Sequence, residues 1–254
     1  MKKVILSLLL ALSFGLPRAE ASVAEADSAY MADDFLGAAA LYQSAIDSLG
    51  PSPERYYNLG NAYYRAGLPG MAIVSYERAL RLDPTNRDIL DNLEFVNSRT
   101  IDRIEPEASF VGSATDKFAG RMHPDAWSWI GLGAFVLALA GVFTWFFASG
   151  VGIRKVGFFG AGVLLILCVL ANILAYRAAR KASQTDAAVV VAPSVILSTT
   201  PRQPKDRSEE ALLLHEGTKV TVLDSLNSGK ETWYDVKVDA NHRAWISAEA
   251  VEII

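Results

Sequence analysis

Four regimes of hydrophobic and polar positions succeed one another along the chain. The first is "MKKVILSLLLALSFGLPRAEA". Lys2 and Lys3 precede an apolar stretch, Val4 to Leu16, that is too short for a good membrane span, and Ala19 and Ala21 form a small-x-small site behind it. This three-part pattern reads as a secretory signal peptide over residues 1–21, cut after Ala21; an uncleaved anchor is the alternative, and either sends the downstream chain across a membrane. Residues 22–104 then show helical periodicity, residues 127–176 hold two apolar runs, and residues 186–254 break into short β-branched and aromatic runs.

The helical regime repeats with a period of 34: Tyr30 matches Tyr64, Ala38 matches Ala72, Tyr42 matches Tyr76 and Ala45 matches Ala79. Small residues at Gly60, Ala72 and Ala79 let helices approach, and aromatic side chains fill the gaps left over. Gly67 in "AGLPG" stops the first helix of the second unit, and Asp83-Pro84 stops its second. A 34-residue period of paired helices is the mark of tetratricopeptide arrays. The stretch from Pro53 to Asn86 resembles that family through Tyr56, Leu59, Gly60 and Tyr63 in the first helix and Ala72, Tyr76, Ala79 and Pro84 in the second. The first unit is more degenerate, with Glu25, Ala26 and Ala29 where the family has leucine, glycine and an aromatic. "RDILDNLEFVNSRTI" predicts a capping helix with Ile89, Leu90, Leu93 and Val96 on one stripe.

Residues 105–126 read as a linker in which "DKFAGRM" could form a short helix on a lipid surface. Residues 127–148 carry no charge. As a helix, 22 residues span roughly 33 Å, enough for a hydrocarbon core of about 30 Å. A short loop, 149–156, separates this span from a second over 157–176. Ala134 with Ala138, and Gly157 with Ala161, predict close packing of the two as a hairpin, and Asn172 is expected to bond to backbone or to the partner helix. The signal peptide places both polar modules outside the cytoplasm and the loop, with Arg154 and Lys155, inside. Arg177, Arg180 and Lys181 flank the second span on the side that the positive-inside rule disfavours.

The last regime, with five to seven short strands in prospect, suggests a small all-β barrel. Its pattern "HEGTKVTVLDS…WYDVKVDANHRAWISAEAVEII" resembles bacterial SH3-like domains, with Ala244 where that family usually has glycine before tryptophan. The expected fold class is therefore a multidomain membrane protein: an α-helical tetratricopeptide solenoid, a two-helix transmembrane hairpin and an SH3-like barrel.

Composition narrows the function. Hydrophobic residues make up 51% of the chain, concentrated at the N-terminus and in the two spans, and the formal net charge is −4. Residues 22–104 carry 12 acids and 7 bases, a net of −5. No basic stripe is available for nucleic acid. Cys168, the single cysteine, has no partner within the chain and reads as a packing residue. His123, His215 and His242 lie in separate segments, no phosphate-binding loop follows a strand, and no nucleophile–base set is visible, so neither an enzyme nor a cofactor or metal site is expected.

Binding surface remains. By resemblance to the tetratricopeptide family, the candidate peptide groove is Glu54, Tyr57, Asn61, Tyr64 and Arg65, with Asp27, Tyr30 and Met31 from the first unit and Asp91, Phe95 and Arg99 from the cap. Trp233, Tyr234 and Trp245 are the candidate ligand face of the SH3-like module. The order of modules resembles BatE-type proteins of the Bacteroides aerotolerance group. That resemblance implies a scaffold in a bacterial inner membrane with both soluble modules periplasmic. It also implies partners with von Willebrand A-type domains, a MoxR-type ATPase system and a role in oxygen or envelope stress. The alternative is a cell-wall receptor or sensor whose SH3-like module binds peptidoglycan.

Overall fold

A computed structural model describes residues 22–102, 110–182, 186–228 and 231–254; the signal-peptide segment lies outside these residues. The chain divides into two compact units. One joins the helical repeats to the C-terminal strands, and the other contains the helices between residues 108 and 184.

The first unit begins with helices α1 (residues 22–31), α2 (Phe35–Leu49), α3 (Pro53–Arg65), α4 (Pro69–Leu82) and α5 (Arg87–Asn97). Three of the starts have a local cause. Asp34 accepts from the Gly37 N–H, Ser52 accepts from the Arg55 N–H ahead of Pro53, and Asn86 accepts from Asp88 and Ile89. The α3 stop is a Schellman turn: Gly67 adopts φ +80°, Leu68 N–H bonds to Tyr63 O at 3.0 Å and Gly67 N–H to Tyr64 O at 3.1 Å. Small residues carry the helix crossings, with Ala38, Ala45, Ala62, Ala72 and Ala79 all fully buried.

Seven strands come next: β1 (Ala187–Val190), β2 (Ser194–Ser198), β3 (Glu210–His215), β4 (Lys219–Ser228), β5 (Glu231–Lys237), β6 (Arg243–Ser247) and β7 (Val251–Ile253). All pairings are antiparallel, in the order β3-β2-β6-β5-β4-β1-β7. The expected closed barrel is not formed, because β3 and β7 stand at opposite ends of one open sheet. The physical reason lies at the β7 end. There β1 and β7 pack on α4, and Arg78 of α4 donates to the Ile253 carbonyl at 2.6 Å, so a helix meets β7 where closure would need a strand.

That contact makes the repeats and the sheet one unit. Val189 and Ile254 enter the apolar cluster of Ile73, Tyr76, Ile89 and Val96. Around it, Arg78 pairs with Glu252 at 2.6 Å, Lys219 with Glu77 at 2.7 Å, and Arg81 donates to the Ile254 carbonyl. Two glycines permit the approach. A Cβ on Gly70 would sit 2.7 Å from the Val190 carbonyl, and one on Gly217 (φ +89°) would sit 2.6 Å from Thr100 Cγ2. Asp102, just past the capping helix, accepts from His215 N–H at 2.7 Å and Thr218 Oγ1 at 2.6 Å, and its other oxygen lies 2.9 Å from His215 Nδ1.

The second unit has α6 (Phe110–Ala119), α7 (Pro124–Phe147) and α8 (Val151–Ala182). Both α7 and α8 are long and apolar enough to cross a membrane. They pack closely: a Cβ on Gly141 would meet the Gly157 carbonyl at 2.9 Å, and Ala134, Ala138 and Ala161 are buried. Asn172 donates back to the Cys168 carbonyl at 2.8 Å.

Two boundaries differ from the sequence reading. The loop expected over 149–156 shrinks to the three residues between Phe147 and Val151, because α8 starts earlier. Arg154 Nε caps the Trp145 carbonyl at 2.9 Å, so this arginine completes the helix end rather than sitting in a loop. The expected linker 105–126 contains α6 and the start of α7. A ten-residue helix is marginal alone. Tertiary bonds hold this one: Arg177 donates to Thr115 Oγ1 at 2.6 Å and Asp116 Oδ1 at 3.0 Å, and Trp127 Nε1 donates to the Ala119 carbonyl at 2.9 Å.

Candidate partner-binding face

The candidate face runs over the first helix of each pair, α1 and α3, and on to α5. Its centre is a polar network. Asn61 Oδ1 accepts from Tyr76 OH at 2.7 Å and from Asn92 Nδ2 at 3.0 Å, and Asn92 also donates to Tyr57 OH at 3.1 Å. Burial, ahead of the neighbouring phenols Tyr57 and Tyr30, pushes the Tyr76 phenol above its ordinary range, so it stays a donor. Asn61 and Tyr57 are thus committed to holding α3, α4 and α5 together, and Tyr57 also packs on Tyr76 with ring centroids 6.0 Å apart. Likewise Asp27 accepts from Tyr42 OH, which fastens α1 to α2.

Outward from this centre lie two aromatic–cation clusters. Tyr64 meets Phe95 edge-on at 5.6 Å, with the Arg99 guanidinium 4.2 Å above the Phe95 ring. Tyr30 meets Phe35 at 5.3 Å, with Arg65 4.4 Å above Phe35 and 3.4 Å from Asp33. Phe95 and Phe35 are therefore each shared between a neighbouring ring and a cation, an arrangement that presents flat apolar area beside charge. Phe95 is 45% exposed and Met31 is 84% exposed. Glu54 and Asp91 are also exposed, at the outer rim of α3 and α5.

Sequence reasoning missed Asn92 and Phe35. Asn92 stands at i, i+3 and i+7 with Phe95 and Arg99, so a stripe drawn through it rather than through Asp91 would have found it. Phe35 opens α2, outside the first helices on which the resemblance concentrates. The sheet packs against α4 from its first turn onward, against the buried stripe of α5 (Ile89 and Val96) and against the segment after α5, whereas Phe95, off that stripe, stays 45% exposed.

In the sheet, strand alternation separates the three candidates. Trp233 is 2% exposed, and its Nε1 donates to Glu231 at 3.3 Å. Trp245 lies on the same side, opposite Asp235, which Arg243 grips through Nε at 2.9 Å. Tyr234 points to the other side and packs on the core of Val236 and Ile246. The three do not line one surface.

Residues 53–86 match the tetratricopeptide repeat family. The match covers α3, α4 and the residues up to the α5 cap, including Tyr57, Asn61, Tyr64 and Arg65 of the face. A repeat of this kind supports protein partners and a scaffold role. No curated protein matches the chain.

Proposed function

We propose that this protein is a non-enzymatic, membrane-anchored scaffold that holds protein partners on the face of α1, α3 and α5. The observation that carries the reading is the division of labour in the repeats. The second helix α4 is occupied by the chain's own sheet, while the first-helix face keeps Phe95 and the cations Arg65 and Arg99 exposed beside half-buried Tyr30, Phe35 and Tyr64. Partners in an aerotolerance or envelope-stress complex, with von Willebrand A-type domains and a MoxR-type ATPase, are the identity that the resemblance favours.

Met31→Ala with Phe95→Ala tests the face. Both side chains are exposed, so the double variant folds as the parent does, and crosslinked partners co-purified from native membranes fall by about tenfold or more if each anchor is worth roughly 1–2 kcal/mol. Retention of partners at parental yield would move the binding surface elsewhere.

The membrane topology we propose places the repeats and the sheet on one side, outside the cytoplasm. Two features support it: the signal-peptide pattern, and a folded unit that draws on chain from both before and after the two apolar helices. Such a unit requires an even number of crossings. Alkaline phosphatase fused after Ile254 should be active, and fused after Arg154 inactive; the reverse pattern refutes the orientation.

A further inference from the structure

In the second unit, α8 carries two rows of residues spaced alternately by four and three positions. The first row, Gly157, Ala161, Leu164, Cys168, Ala171 and Ala175, faces α7. Its small members Gly157, Ala161, Ala171 and Ala175 are buried, and a Cβ on Gly157 would meet the Gly141 carbonyl at 2.7 Å. The second row, displaced by one position, is Phe158, Gly162, Leu165, Val169, Asn172 and Tyr176. All six are exposed, and nothing lies within 4 Å of a Cβ at Gly162. Alternating steps of four and three average about 3.5, the period of a seam between two helices. We propose that the second row is a dimer seam: α8 packs in parallel against α8 of a second copy of this chain, with Asn172 hydrogen-bonded to its counterpart across the two-fold axis. The proposal rests on the reading that α7 and α8 cross a bilayer.

Asn172 is what selects a second copy. Its Nδ2 donates to the Cys168 carbonyl at 2.8 Å and lies 3.6 Å from Cys168 Sγ, both one turn back in its own helix. Its Oδ1 accepts from no described residue. The side chain sits about 6 Å inside Tyr176 along the helix, in the apolar span, where no water is at hand to donate. A carboxamide is both donor and acceptor, so two of them satisfy each other. Copies of one chain insert the same way round, and a two-fold axis along the bilayer normal therefore brings Asn172 to its counterpart at equal depth. An acyl chain carries no donor, and an unrelated helix would have to place one at this depth. A single asparagine in a seam also fixes register and partner number. Gly162, about 15 Å away on the same row, lets the two backbones come close. The row is open to a partner, because α6 bonds to α8 at Arg177, beyond its last member.

The test uses the full chain in membranes, with insertion checked by carbonate extraction. Cys168 is the single cysteine, so Cys168→Ala provides a background for placing a thiol. In that background Val169→Cys, on the row, should form a disulfide-linked species of twice the chain mass on mild oxidation. Leu167→Cys, also exposed but about 200° round the helix from Val169, should stay monomeric. Sedimentation equilibrium of the detergent-solubilised chain then measures the affinity. Asn172→Leu, which keeps the side-chain volume and removes the amide, should weaken the dimer by about three- to thirtyfold. Gly162→Leu should weaken it at least as much without touching the monomer, since that position faces open space. An inserted but monomeric wild type, cross-linking equal at the two cysteine positions, a cross-linked product of any other mass, or parental affinity in either variant would each overturn the seam. A wild type that carbonate extracts would instead overturn the membrane reading.

Discussion

Gly60→Leu is expected to unfold the repeat–sheet unit. A Cβ at Gly60 would lie 2.6 Å from Tyr76 Cε1 and 2.8 Å from Cδ1. The ring cannot swing aside, because Tyr76 is 1% exposed and its hydroxyl is held by Asn61 at 2.7 Å. Overpacking of a filled core costs about 1–3 kcal/mol, and the displaced hydroxyl leaves a buried partner short by about 1 kcal/mol more. The sum, roughly 2–4 kcal/mol, is a large part of the stability of a small domain. Val189 and Ile254 pack into the same cluster as Tyr76, so strand and helix signals should be lost together. Circular dichroism of the detergent-solubilised chain checks this, with Gly133→Ala as a control, since nothing lies within 4 Å of a Cβ at Gly133. A helical melting curve unchanged from the parent would disprove the crossing.

Asp102→Ala should loosen the sheet from the repeats. Three donor positions converge on this carboxylate: His215 N–H, the His215 ring and the buried Thr218 hydroxyl. Removing the acceptor strands them, at about 2–4 kcal/mol in total for groups of this kind. The effect carries a pH signature. Burial by itself pushes the Asp102 carboxyl up, but the hydrogen bonds from Thr218 and His215, with the charge of that ring, outweigh it and hold the carboxyl below its usual range. A carboxyl depressed in the folded state stabilises fully above its unfolded value, near about 4, and loses that stabilisation as pH falls through the depressed folded value. The parent interface should therefore hold through mildly acid solution and weaken only in strong acid, whereas the variant lacks this component of the pH dependence. Hydrogen exchange at β1 and α4, tracked from neutral to acid pH, reads both effects. Equal protection in parent and variant at neutral pH would show that Asp102 does not secure the interface.

The sequence by itself determined the elements whose cause is local. The 34-residue recurrence of Tyr and Ala set the helix pairs, because small residues at fixed intervals are what a helix crossing requires. Gly67 marked a stop that the left-handed turn confirms, and two apolar runs marked helices of membrane-spanning length. The alternation in "TWYDVKV" marked a strand and split Trp233 from Tyr234. On the candidate face, the aromatic and charged residue types were legible. Which of them were free was not, because Asn61 looks the same in sequence whether it faces a ligand or bonds to Tyr76 and Asn92.

Only the tertiary structure decided the rest. His215 meets a carboxylate 113 residues away, and Arg78 meets a carboxylate 174 residues away. Neither contact leaves a period in the chain. Gly70 and Gly217 read as ordinary turn glycines, yet each leaves room for another segment's backbone or side chain. The sheet stays open because α4 meets β7, and α6 is helical because Arg177 and Trp127 bond to it, so both outcomes depend on surfaces brought together from distant parts of the chain. Periodicity records which face of an element avoids water; it does not record which other face will cover it, since that depends on shape and hydrogen-bond complementarity that exist only after both elements have formed.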